Sequence, residues 1–257
     1  MLNLAIGVAK DAGRLLRDRV GTTLDIDHKG SINLVTDVDL ASEELIREAI
    51  STHYPHHEIL AEEGGLSESN SEYRWIVDPL DGTTNYAHGY PIFSVSIGLE
   101  YQGEVVLGVV YDPMRDELFT AERGAGATLN NRAIRVSKID DLMQGLLSTG
   151  FPYDINTSKL TNLNHWSNFA MNSQGLRRDG SAALDLCYLA CGRFDGFWEL
   201  NLSPWDTAAG TLIVIEAGGR VSNFSGGSFS IYKPEILASN GLIHDQMIEV
   251  LAKGALA

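Results

Sequence analysis

Apolar residues in the first twenty positions recur at helical intervals, with Lys10, Arg14 and Arg17 between them and Asp11 and Asp18 alongside. That spacing predicts an amphipathic helix over about residues 3–19 rather than a cleavable leader. "TTLDIDHK" (22–29) alternates as a half-buried strand does. "DLASEELIREAISTHY" (39–54) returns to the helical period through Leu40, Leu45, Ile46, Ala49 and Ile50, which assigns Glu43, Glu44, Arg47 and Glu48 to its solvated face.

The period then shortens. "YRWIVDPL", "FSVSIGLEY", "EVVLGVVYDP" and "ELFTAERG" are short apolar or alternating runs separated by Asp-Pro, Gln102-Gly103 and Gly124, the pattern of an antiparallel meander. A hairpin is expected around Asn130-Asn131. From about residue 140, strand-like and helix-like runs alternate, from "GLLSTG" through "SAALDLCYLACG" and "PWDTAAGTLIVIEAGG" to "GLIHDQMIEVLAK". The expected organisation is an α+β lobe over 1–140 and an α/β lobe over 141–257, closely packed.

Composition narrows the function classes. A chain of 257 residues with 44% hydrophobic content and no bilayer-length apolar run is expected to be globular and cytoplasmic, with no membrane partner. A net charge of −15 argues against nucleic acid, which demands a cationic footprint, and means that an anionic substrate needs bound cations beside it. Cys187 and Cys191, four apart on one helix face, read as small buried residues, and two ligands alone make a poor zinc site.

Acidic residues stand at the ends of four apolar runs, and each has two readings. "WIVDPLDGTTN" is an Asp-Pro turn followed by an Asp-Gly turn, or a strand that ends at Asp78 because Pro79 stops the ladder. In the second reading Asp78, Asp81 and the Leu80 carbonyl become hard oxygen ligands suited to Mg²⁺. Asp206 in "SPWDTAAG" caps a helix with Ser203 or faces a cation. Glu62 in "EILAEEGG" is solvated or a ligand, and Asp39 in "VTDVDLASEE" forms a capping box with Thr36 or accepts from a catalytic hydroxyl.

Together the motifs resemble the inositol monophosphatase family of Mg²⁺-dependent, lithium-sensitive phosphatases. The likeness rests on Asp78-Pro79-Leu80-Asp81-Gly82-Thr83-Thr84-Asn85, on Trp205-Asp206-Thr207-Ala208-Ala209-Gly210 with Glu216-Ala217-Gly218-Gly219 behind it, and on Glu62-Glu63 upstream. It spans nearly the whole chain. The resemblance implies metal ligands at Glu62, Asp78, Leu80, Asp81 and Asp206, holding two to three Mg²⁺ ions. Mn²⁺ is the implied substitute, and Li⁺ and Ca²⁺ the implied inhibitors. It implies that Asp39 and Thr83 form a dyad that activates the attacking water with Glu62. Substrate contacts are implied at Gly82, Thr83, Gly180, Ser181, Ala182, Glu199 and Asp206.

The fold class implied is α+β / α/β: a layered α-β-α-β-α sandwich of the inositol monophosphatase and fructose-1,6-bisphosphatase type, with the site where the lobes meet. The implied partners are a small phosphorylated polyol or sugar and a second copy of the chain. Among substrates, Glu199 and the short "RRDGSAALD" segment favour inositol monophosphates. Fructose 1,6-bisphosphate, histidinol phosphate and adenosine 3′,5′-bisphosphate are the alternatives, and a non-catalytic regulatory protein is the remote one. His88 receives no chemical role.

Overall fold

The computed structural model describes residues 1–28, 34–67, 69, 71–152, 155–158 and 161–254. Lys29, at the end of the predicted strand 22–29, lies outside that set. The chain opens with helix α1 (Leu2–Arg19), the short strands β1 (Ile26–His28) and β2 (Leu34–Thr36), and helix α2 (Asp37–His53). Strands β3 (Glu58–Ala61), β4 (Gly65–Ser67) and β5 (Tyr73–Asp81) lead to the one-turn helix α3 (Thr83–Ala87). Then come β6 (Ser94–Tyr101), β7 (Glu104–Asp112), β8 (Glu117–Glu122), β9 (Gly126–Leu129) and β10 (Arg132–Ala133). The second half contains β11 (Leu146–Thr149), α4 (Leu163–Ala170), β12 (Gly175–Arg177), α5 (Ala182–Ala190) and β13 (Gly196–Leu200). It closes with α6 (Pro204–Glu216), β14 (Arg220–Ser222), β15 (Glu235–Ser239) and α7 (His244–Leu251).

Strands β5 to β10 form the expected meander inside an eight-stranded sheet of order β10-β9-β8-β7-β6-β5-β3-β4. Asn130 and Asn131 take φ of 49° and 62°, the left-handed pair that a tight two-residue hairpin between β9 and β10 requires. One expectation fails. Strand β5 does not end at Asp78: pairing with β6 slips at Pro79 and resumes at Asp81, opposite Ser94. A proline removes one ladder hydrogen bond, and a register shift absorbs that loss without ending the strand. The second sheet has five strands in the order β12-β11-β13-β15-β14, with β11 parallel to both neighbours.

Layering follows from strand alternation. Trp75 and Val77 of β5 point to one face and pack with Ala9, Leu16, Ile46 and Ile50 of α1 and α2. Ile76 points to the other face and packs on Ala208 of α6. Helices α5 and α6 fill the space between the two sheets, and α4 and α7 cover the far side of the second through Phe169, Met247, Val250 and Leu251. The result is the α-β-α-β-α sandwich. Burial of each Val, Leu, Ile, Phe or Met among these contributes about 1.5–3 kcal/mol.

Helix α6 approaches the first sheet unusually closely because both surfaces are small. A Cβ added to Gly108 in β7 would lie 2.7 Å from the Ala209 carbonyl oxygen, and one on Gly98 in β6 would lie 3.0 Å from the Ala208 Cβ. The glycines floor a strip on which the helix backbone rests. Among the described residues, no helix is long and apolar enough to cross a membrane. Cys187 is buried and Cys191 partly so, and both are free thiols.

Candidate active site

The alternation that sends Ile76 toward α6 sends Asp78 the same way, two residues on. Asp206 lies two positions before Ala208, in the first turn of α6, so helix and strand bring both carboxylates together. Ser96, paired with Asp78 in the ladder, donates to the Trp205 carbonyl at 3.3 Å and fixes the helix start at this height. Asp81, beyond the register shift, completes the group. Carboxylate oxygens of Asp78, Asp81 and Asp206 lie within 4.8 Å of one another. Glu62 stands alongside: its N–H donates to Val77 O at 3.2 Å, extending the β3–β5 pairing by one residue, and it lines the same cavity.

Asp81 and Asp206 are both built into the fold and line the cavity, and Asp39 lies buried behind Thr83. The Ser203 N–H donates to Asp206 Oδ2 at 2.6 Å, which closes the cap of α6. Asp81 Oδ2 accepts from Ser181 Oγ at 2.5 Å and from the Ala183 N–H at 2.8 Å, at the N-terminus of α5. Asp39 Oδ2 accepts from the Thr36 N–H at 2.9 Å in a capping box, while Oδ1 accepts from the Thr83 hydroxyl at 3.0 Å. The cap and ligand readings of the sequence are therefore compatible, since a carboxylate has two oxygens.

Gly82 has φ of 102°, and a Cβ there would meet the Ile92 carbonyl oxygen at 2.9 Å, so glycine alone fits the turn into α3. Asn85 ties that turn to the far wall, donating to both Ile92 O and Asp179 O at 2.8 Å. Gly180, Ser181 and Ala182 form that wall, and Glu199 of β13 lies across the cavity against Gly150.

The electrostatics suit a bound cation. Burial holds the Asp78 carboxyl well above the usual carboxylate range, and the charges of Glu62, Asp81 and Asp206 push the same way. Burial likewise raises Asp206, with Asp81 adding to it. Asp81 is raised to about 6 by burial, less than burial alone dictates, because Ser181 and the amides of Ala183 and Ala182 stabilise its ionised form. Clustered hard oxygens that repel one another when ionised fit Mg²⁺ or a similar divalent ion.

Several cavity residues escaped sequence reasoning. Thr149, Gly150 and Phe151 line the cavity, as do Arg178 and Asp185. Asp185 is held above its ordinary range by burial and by Asp179, and its buried Oδ1 has no hydrogen-bond partner among the described residues. Both Arg178 and Asp185 sit inside "RRDGSAALD", so the segment was visible although these members of it were not. Glu43 corrects an expectation: it is 4% exposed, not solvated, because its carboxylate turns inward to backbone amides.

The layered sandwich is that of the phosphatase superfamily, and its carboxylate cluster could hold a metal ion. The chain belongs to the inositol monophosphatase family, whose model matches residues 1–255. The protein named Nus factor SuhB in Vibrio cholerae is 47% identical over 243 residues, covering 93% of this chain and 91% of its own. The chloroplastic phosphatase IMPL1 of Arabidopsis thaliana is 43% identical over 251 residues, covering 95% of this chain and 68% of its own. The solved structure of inositol monophosphatase from Anabaena superposes with a TM-score of 0.90 at 45% identity, covering 98% of this chain and 95% of that one.

Proposed function

We propose that this chain is a Mg²⁺-dependent phosphomonoesterase that hydrolyses inositol monophosphates to inositol and phosphate. The observation that carries the reading is the convergence of Asp78, Asp81 and Asp206 within 4.8 Å beside a hydrogen-bonded Thr83–Asp39 pair. Glu62, Asp78, the Leu80 carbonyl, Asp81 and Asp206 would hold two to three cations. A divalent ion there supplies Lewis-acid stabilisation of the phosphoryl oxygens.

The side chains do the rest by positioning, which is what phosphoryl transfer chiefly needs. Asp39 takes the Thr83 hydroxyl proton into a hydrogen bond, so the lone pairs of Oγ1 remain to accept from an attacking water. Backbone N–H groups of Gly82 and Thr83 face the phosphate in this reading, and Gly180, Ser181 and Ala182 face the alcohol. Glu199 is raised to about 8 by burial, offset by Arg178. That value belongs to the metal-free chain; cations held by the neighbouring acids favour the ionised carboxylate, which in this reading accepts from substrate hydroxyls.

Phosphate release from inositol 1-phosphate, fructose 1,6-bisphosphate, histidinol phosphate and adenosine 3′,5′-bisphosphate, with Mg²⁺ and with EDTA, tests this. Highest kcat/KM on inositol 1-phosphate and none in EDTA is expected; a higher value on another ester reassigns the substrate. The name of the Vibrio cholerae relative favours a second reading, a regulatory role. Absence of Mg²⁺-dependent release from every ester in the panel would select it. Lithium sensitivity and a homodimer belong to the same proposal, checked by LiCl titration of activity and by sedimentation.

A further inference from the structure

One face of helix α2 touches three of the segments that carry the proposed chemistry. Asp39 Oδ1 accepts from Thr83 Oγ1 at 3.0 Å. Ser42, one turn on, donates its hydroxyl to the Pro79 carbonyl at 2.8 Å, between Asp78 and Leu80. Glu43 follows, its Oε2 accepting the Glu63 N–H and its Oε1 the Gly64 N–H, both at 2.8 Å. Positions 39, 42 and 43 are i, i+3 and i+4, so the three side chains project from one side of the helix. All three residues are buried, although the helical pattern alone assigns Glu43 to water.

We propose that Glu43 is a positioning residue for the metal centre: its two-oxygen clamp on the Glu63 and Gly64 amides sets where the Glu62 carboxylate stands. Glu62 is then held on both sides, by Val77 through its own N–H at 3.2 Å and by Glu43 through the next two amides. Arg47, 3.5 Å from Glu43 Oε1 and 3.4 Å from the Gly65 carbonyl, steadies the clamp from behind. The turn leaves no room for a side chain, since a Cβ on Gly64 would stand 2.5 Å from Glu43 Oε1. Partners that orient a metal ligand without touching the metal typically govern affinity about 10–100-fold. The inference rests on the proposed reading of Glu62 as a ligand.

The test measures Mn²⁺ affinity by electron paramagnetic resonance, alongside thermal unfolding, on the full chain. Glu43→Gln removes the charge and one acceptor of the clamp. Gly64→Ala keeps every charge and displaces the clamp sterically. Glu44→Gln, on the exposed face of the same helix, removes one charge without touching the turn. Mn²⁺ Kd about tenfold or more higher in Glu43→Gln and Gly64→Ala, with Glu44→Gln unchanged and cooperative unfolding retained, is expected. Parent-like affinity in Gly64→Ala, an equal loss in Glu44→Gln, or failure of both clamp variants to fold overturns the positioning role. A parent protein that binds no Mn²⁺ overturns the metal reading beneath it, which separates the two failures.

Discussion

Asp39 and Thr83 are joined by a 3.0 Å hydrogen bond between helix α2 and the start of α3, while the second oxygen of Asp39 caps its own helix. The cap holds the acid still, and the acid holds the hydroxyl. Replacing Thr83 with valine keeps the shape and deletes the donor, so kcat is expected to fall about 10²–10⁴-fold with little change in Mn²⁺ affinity. Thr83→Ser, which retains the hydroxyl, is expected to recover most of that loss. Equal activity in the valine and serine variants would refute a role for the hydroxyl.

Asp78→Asn removes one charge from a cluster whose members raise one another's proton affinity. Mg²⁺-dependent phosphate release is expected to fall by at least about 10²–10³-fold. Without metal, the variant is expected to melt no lower than the parent, because a repulsive buried charge has gone. Retained activity in a folded Asp78→Asn protein sinks the assignment of Asp78 as a metal ligand.

The pH dependence of the metal-free protein has a definite sign. Glu199 ionises near 4.5 in an unfolded chain, whereas burial in the fold raises it to about 8. Between those values the folded state binds the extra proton, so its stability falls as pH rises. Melting temperature without metal is expected to decline from about pH 5 to pH 8, and Glu199→Gln to flatten the decline. Parallel curves for the two proteins would show that Glu199 keeps an ordinary proton affinity.

Gly108→Ala drives a methyl group toward the Ala209 carbonyl of α6, with 2.7 Å available. Backbone cannot rotate aside, so a loss of about 1–3 kcal/mol is expected in urea unfolding. Because α6 carries Asp206, Mg²⁺-dependent phosphatase activity is expected to drop as well. Unchanged stability would mean that the helix is free to lift from the sheet.

Much of this molecule could be read from its sequence because local signals coincide with tertiary ones. The helical period of α1, the alternation of β6 to β8 and the small residues after Asp206 each mark an element and the face it buries. The acids proposed as metal ligands stand out because they end apolar runs. What was illegible depends on partners distant in the chain. The parallel pairing of β3 with β5 has no local signature, and neither does the continuation of β5 past Pro79. Glu43 sits on a helix face that its own period assigns to water, and only the turn after Glu62 draws it inward. Asp185 belongs to an apolar helix, and the "RRDGSAALD" segment marks the cavity wall without singling this residue out.

The close seat of α6 on the glycine-floored strip has one more consequence. A chain severed between Ala133 and Leu146 leaves Glu62, Asp78 and Asp81 on one fragment and Asp206 on the other, and strips the sheet of the helix that fills its groove. Neither fragment owns a complete set of acids. Catalytic competence then becomes a measure of complementation, and a bound cation would report the moment at which two pieces of chain rejoin.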